Sequence, residues 1–213
     1  MQLFTRFPRR LSQLVVGLFL YGWSMAMQVR GSLGLAPWDV LHEGLARNLP
    51  FSFGQITIGV GALVLLLWIP LRQKPGLGTL LNVFVIGLAA DFGLWLIPVT
   101  AELLPRGLLL AGGVVLNGLA GALYVGARLG PGPRDGLWVA ICRRTGASIR
   151  LVRSIIELSV LGIGWLLGGT LGIGTLLYAL AIGPLVQLFM PFVEVKPPDA
   201  DAAVVAAVPV TRG

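Results

Sequence analysis

Leu33-Gly-Leu-Ala-Pro-Trp-Asp39 and Leu129-Gly-Pro-Gly-Pro-Arg-Asp135 are two copies of one motif, and they decide the reading of the chain. Each copy follows a long apolar segment and opens a shorter, charged one. Gly34/Gly130, Pro37/Pro133 and Asp39/Asp135 all match at a single offset of 96 residues. Held without gaps, that offset also pairs Arg10/Arg106, Gly17/Gly113, Gly22/Gly118 and Ala26/Ala122 upstream. Downstream it pairs Leu41/Leu137, Arg47/Arg143 and Ser52/Ser148, then Gly76-Leu-Gly-Thr-Leu-Leu81 with Gly172-Ile-Gly-Thr-Leu-Leu177. Apolar matches come cheaply in so apolar a chain, so the paired Gly, Pro and Asp carry the weight. The chain is an internal duplication.

Composition sets the class. Of 213 residues, 56% are hydrophobic and 12% charged, about half the share of roughly 25% usual in soluble domains. Mean hydropathy is +0.87. The net charge of +7 sits between apolar runs, as in the cytoplasmic loops of membrane proteins, rather than on a basic face for nucleic acid. A single cysteine, Cys142, and a single histidine, His42, exclude an intrachain disulfide and a Cys- or His-rich metal cluster. No cofactor is implied.

Six segments have the length and apolarity to cross a bilayer: 11–29, 53–71, 77–99, 107–127, 151–171 and 172–193. The first resembles a secretory signal with a small-residue site at Ser24-Met-Ala26. Its counterpart 107–127 lies mid-chain, so it reads as a retained helix. Residues 37–49 and 133–146 are too short and polar to span. In the first, Trp38, Leu41, Leu45 and Leu49 fall on one side and Asp39, His42, Glu43 and Arg47 on the other, which reads as a re-entrant or interfacial helix with a solvated polar face. Gly76, Gly78 and Thr79, and Gly172, Gly174 and Thr175, are helix-start turns with Thr79 as expected N-cap.

With the N-terminus in the cytoplasm, six spans put Arg6, Arg9, Arg10, Arg72, Lys74, Arg128, Arg134, Arg143, Arg144 and Arg150 on the cytoplasmic side. The opposite side holds few basic residues, each near an acid, as the positive-inside rule asks. Three spans per copy is odd, so the copies cross with opposite orientation. The expected fold is an all-α integral membrane protein of six transmembrane helices in two inverted-topology repeats, 10–99 and 106–193. Each repeat carries its short helix after the first span. Residues 1–193 form one domain, and 194–213 read as a disordered cytoplasmic tail.

The repeated Leu-Gly-x-x-Pro-x-Asp, the Gly-x-Gly-Thr-Leu before the third span and the six-span length resemble the YitT/YczE group of bacterial multipass membrane proteins. The resemblance covers roughly residues 10–193. It implies a plasma-membrane protein with a transport role and carries no catalytic residue with it.

Asp39, His42 and Glu43 have metal-ligand spacing, but only the aspartate recurs in the second copy, at Asp135. A polar helix face is the simpler account, and no metal is expected. Asp91 lies in an apolar span with no basic residue, so its carboxylate must face a partner, the interior or a wet cavity. Glu157 pairs with Arg153 one turn before it. Gly34, Pro37, Asp39, Asp91, Gly130, Pro133 and Asp135 are the candidate substrate-binding or gating residues of a permease for a small solute or ion, with the lipid bilayer as surroundings. The alternative is a non-transporting accessory or assembly protein. No hydrolase, metalloprotease or paired-aspartate signature points to an enzyme.

Overall fold

The computed structural model describes residues 2–195, with side chains from residue 7 onward, so most of the expected tail (196–213) lies outside the described residues. Those residues form eight helices and no strand: α1 (Gln2–Gly31), α2 (Pro37–Asn48), α3 (Phe53–Trp68), α4 (Leu77–Leu96), α5 (Leu103–Gly126), α6 (Pro133–Thr145), α7 (Ile149–Leu166) and α8 (Ile173–Val193). The starts of α6, α7 and α8 lie 96 residues after those of α2, α3 and α4. The duplicated residues therefore set duplicated helix starts.

The local causes repeat with them. Pro37 and Pro133 each open a short helix after an extended residue, where the missing N–H is not needed. Ser52 closes a capping box on α3: its hydroxyl accepts from Gln55 N–H at 3.1 Å and Gln55 Oε1 accepts from Ser52 N–H at 3.0 Å. Ser148 caps α7 through Leu151 N–H. The N-cap of α4 is Gly76 rather than Thr79. Thr79 sits one turn inside, where its hydroxyl accepts the Gly76 N–H at 3.1 Å and donates to Pro131 O at 2.7 Å. Backbone twists recur too: Ser32 and Arg128 have φ of 50° and 54°, and Gly34 and Gly130 have 119° and 127°.

Packing between the repeats is reciprocal. Arg10 donates to Ala127 O and Arg128 O at the end of α5, and Arg106 donates to Gly31 O and Ser32 O at the end of α1, with the same distances of 2.9 and 2.7 Å. Gly78 N–H donates to Leu129 O and Gly174 N–H to Leu33 O, both at 2.8 Å. Along α1, Gly17 meets residues 120–124 of α5, while Gly31 meets 106–110. α1 and α5 therefore run antiparallel, and their glycines let the backbones approach closely.

The short helices pack on the opposite repeat, α2 on α7 and α6 on α3. A Cβ on Gly164 of α7 would lie 2.4 Å from Leu41 N, so α2 touches bare backbone there. The equivalent position on α3 is Trp68, whose ring lies against Gly136 and whose Nε1 donates to Pro133 O at 3.0 Å. One short helix is seated on a glycine and the other on an indole.

Three helices are individually long and apolar enough to cross a membrane, α4, α5 and α8, and a fourth crossing arises if α2 and α3, bent by 117°, form one broken span. The expected count of six does not follow from helix length alone. α3 has only 16 residues, short of the roughly 20 needed, and α7 carries Arg150, Arg153 and Glu157. The outer surface is nonetheless lipid-like: Trp95, Leu166 and Phe192 are 78%, 80% and 81% exposed, which water would not tolerate over so wide an area.

Candidate functional site

A cavity of about 740 Å³ lies between the two repeats. The beginnings of both short helices border it: Ala36, Pro37 and Trp38 of the first motif, Gly130, Pro133, Arg134 and Asp135 of the second. Its wall also contains positions related by the 96-residue offset, Tyr21 with Asn117 and Asn82 with Tyr178, so each tyrosine answers an asparagine in the other copy. Trp38 and Arg134 are another such pair and stack on each other, the guanidinium carbon 4.8 Å from the indole centroid. Thr57 answers Arg153, and Gly61 answers Glu157. Repeat two supplies the charge in the wall, and repeat one supplies aromatic, hydroxyl and small groups at the matching places.

Hydrogen bonds hold the polar wall in register. Tyr178 donates to Asn117 Oδ1 at 3.1 Å and Asn117 Nδ2 to Ser24 Oγ at 2.7 Å. The Tyr124 hydroxyl donates to Asp135 Oδ2 at 2.5 Å. Arg153 Nε donates to Glu157 Oε1 at 2.9 Å, the local pair expected from their spacing, and stacks on Trp138 at 4.8 Å.

Asp39 and His42 are 3% and 1% exposed, which corrects the solvated face expected for α2. The Asp39 and His42 part of that face is turned into the protein, while Arg47 stays exposed. His42 Nδ1 lies 3.2 Å from Thr57 Oγ1 and 3.5 Å from Asp39 Oδ1, and its Nε2 faces Arg134 Nη2 at 3.4 Å. The Thr57 hydroxyl donates to Phe53 O, so it accepts from a His42 protonated at Nδ1, which leaves Nε2 to accept from the arginine. Asp39 Oδ1 lies 3.9 Å from Arg134 Nη2 and has no hydrogen bond. The residues that precede the two short helices, Ala36 and Gly132, supply no side-chain cap. Glu43 turns away from Asp39 and His42, to Arg47 and to Thr170, whose N–H it accepts at 2.6 Å.

Asp91 is not in the cavity wall. Its carboxylate accepts from Ser52 Oγ at 2.5 Å and from Gly54 N–H at 2.7 Å, closing the start of α3 from α4. Gly34 packs against Gly172 and Thr175, and Gly130 against Gly76 and Thr79. The helix-start turns of each copy thus grip the motif of the other. Tyr21, Tyr124, Tyr178, Asn82 and Trp138 were not candidates from sequence. The offset finds Tyr21, Tyr178 and Asn82, since it pairs tyrosine with asparagine at 21/117 and 82/178, but it pairs Tyr124 with Gln28 and Trp138 with His42 and so gives no signal for them.

Apolar helices of membrane-crossing length and a lipid-like surface around a cavity between duplicated halves define an integral membrane protein. The chain belongs to a family of unknown function, DUF6198, whose model matches residues 8–191. It is 40% identical to an uncharacterized protein of Haemophilus influenzae over 88% of this chain and 86% of that one. It is 34% identical to the Bacillus subtilis uncharacterized membrane protein YczE, over 82% of each, in keeping with the resemblance carried by the motifs. It is 28% identical to B. subtilis YyaS over 84% of this chain and 91% of that one. No solved structure matches it.

Proposed function

We propose that the protein is a permease for a small solute or ion in the bacterial plasma membrane, with six crossings, inverted repeats, cytoplasmic termini and no enzymatic activity. The observation that carries this reading is the cavity bordered at once by the starts of α2 and α6. Contacts exchanged reciprocally at a fixed offset imply a two-fold relation between the halves. Because α1 and α5 run antiparallel, that axis crosses them and lies in the membrane plane if they span it. A substrate site at such an interface, flanked by broken helices, is the arrangement through which many secondary transporters alternate access.

The two short helices act as the gates. α2 is closed down on Gly164, whereas α6 is held off by the Trp68 ring, and exchange of these roles opens the cavity to the other side. Cysteines placed one at a time at Val60 and Ile182, in a Cys142→Ser background reconstituted in vesicles, test this. Membrane-impermeant thiol reagents should reach each cysteine from both sides as the gates exchange. Reactivity from one side only, with no solute flux, would instead leave an accessory or assembly role.

A further inference from the structure

Among the described residues, five buried side-chain atoms lack a hydrogen-bond partner: Gln28 Oε1, Arg30 Nε, Trp38 Nε1, Asp39 Oδ1 and Trp138 Nε1. Trp38 and Trp138 both line the cavity, and each is at most 9% exposed. What they leave unfilled is an N–H donor. Each indole also carries a guanidinium on its face at 4.8 Å, Arg134 on Trp38 and Arg153 on Trp138. Stacking fixes the plane of a guanidinium and leaves its edge free to donate in a fork. Arg134 spends little of that fork, since its Nη2 has only the 3.4 Å contact to His42 and stands 3.9 Å from Asp39.

Both carboxylates of the wall already hold a donor. Asp135 holds the Tyr124 hydroxyl and Glu157 holds Arg153. Of the three arginines in the wall, Arg128 pairs with Glu194 and Arg153 with Glu157, which leaves Arg134, 3.9 Å from Asp39, as the one without a hydrogen-bonded carboxylate. The rest of it is largely apolar, with Val60, Val64, Val83, Ile86, Ile182 and Val186. A ligand that completes this site brings acceptor oxygens and an apolar body.

Resting on the permease reading, we propose that the cavity binds small organic anions, a carboxylate or phosphate head on an apolar body. The head is received by the Arg134 guanidinium, and the two indole N–H groups, buried in the wall, turn to it when it binds. A forked guanidinium grips two oxygens of a carboxylate or phosphate at once, which a point cation does not, and the volume is within the range of small-molecule sites.

The test is equilibrium binding to the purified full-length protein in detergent, followed by melting temperature and tryptophan fluorescence. Benzoate, phenyl phosphate, benzylamine and benzyl alcohol serve as probes of similar size. Benzoate or phenyl phosphate should bind saturably, and the amine and the alcohol at least about tenfold more weakly. Arg134→Gln should weaken anion binding about tenfold or more, and Arg134→Lys by less. Trp138→Phe keeps the ring, removes only the N–H, and should weaken it severalfold, so the proposal stays testable even if Arg134→Gln does not fold. Tighter binding of benzylamine, no saturable anion binding, or undiminished affinity in folded variants overturns the proposal. Anion binding without flux in proteoliposomes would sink the permease reading alone, and benzylamine flux without anion binding would sink this inference alone.

Discussion

Two aspartates, Asp91 alone in an apolar span and Asp39 on the polar face of a short helix, do different work. Asp91 closes the start of α3 with two hydrogen bonds, so its removal is a matter of stability. Asp91→Leu should lower the unfolding free energy by about 2 kcal/mol and Asp91→Asn by about 1, read as melting temperature, with probe binding to the cavity unchanged. Asp39 is buried beside Arg134 without a hydrogen bond to its Oδ1, so its charge is costly to keep. Asp39→Asn should leave the melting temperature level or raised while solute flux falls by about tenfold or more. Equal loss of stability in both variants would remove that distinction. Sequence could place an acid within a span and require it to have a partner. It could not tell a helix-start partner from a cavity-side one, because Ser52 lies 39 residues from Asp91 and Arg134 lies in the other repeat.

The clearest inheritance at the scale of elements is the grip of each Gly-x-Gly-Thr turn on the opposite Leu-Gly motif. Both motif glycines have φ near +120°, a region that costs other residues about 1–2 kcal/mol or more. A Cβ on Gly34 would also lie 2.8–2.9 Å from backbone of Gly172 and Thr175, while on Gly130 the nearest atom is the Thr79 hydroxyl at 3.0 Å. Gly34→Ala should therefore destabilise more than Gly130→Ala in thermal unfolding, because its Cβ meets backbone below 3.0 Å at three atoms and that on Gly130 meets none so close. Gly164→Val should force α2 off α7, at about 1–3 kcal/mol or more for overpacking, and should raise thiol reactivity of a cysteine at Val40. Helix starts were legible here because Pro, Ser and Gly-x-Gly-Thr repeat at one offset, and α2 and α6 begin where their prolines predict. The environment of α2 was not legible. An amphipathic pattern says that one face differs from the other, but His42 meets Thr57 only once α2 folds back on α3, and Asp39 meets Arg134 only after the halves are brought together.

For the whole molecule, the account rests on two copies facing each other across a cavity, with α1 and α5 antiparallel at the centre. The duplication and the helical class were open to reading because Gly, Pro and Asp resist chance matching in an apolar chain. The number of crossings was less so, since α3 and α7 are shorter or more charged than a simple span. Sided cysteine labelling in intact cells and inverted vesicles tests the arrangement most directly. Single cysteines at residues 72–76, with Cys142 itself as a second reporter, should react from the cytoplasmic face, and cysteines at 101–105 from the opposite face. Labelling of 72–76 and 101–105 from the same face would contradict the inverted arrangement and, with it, the gating assigned to the two short helices.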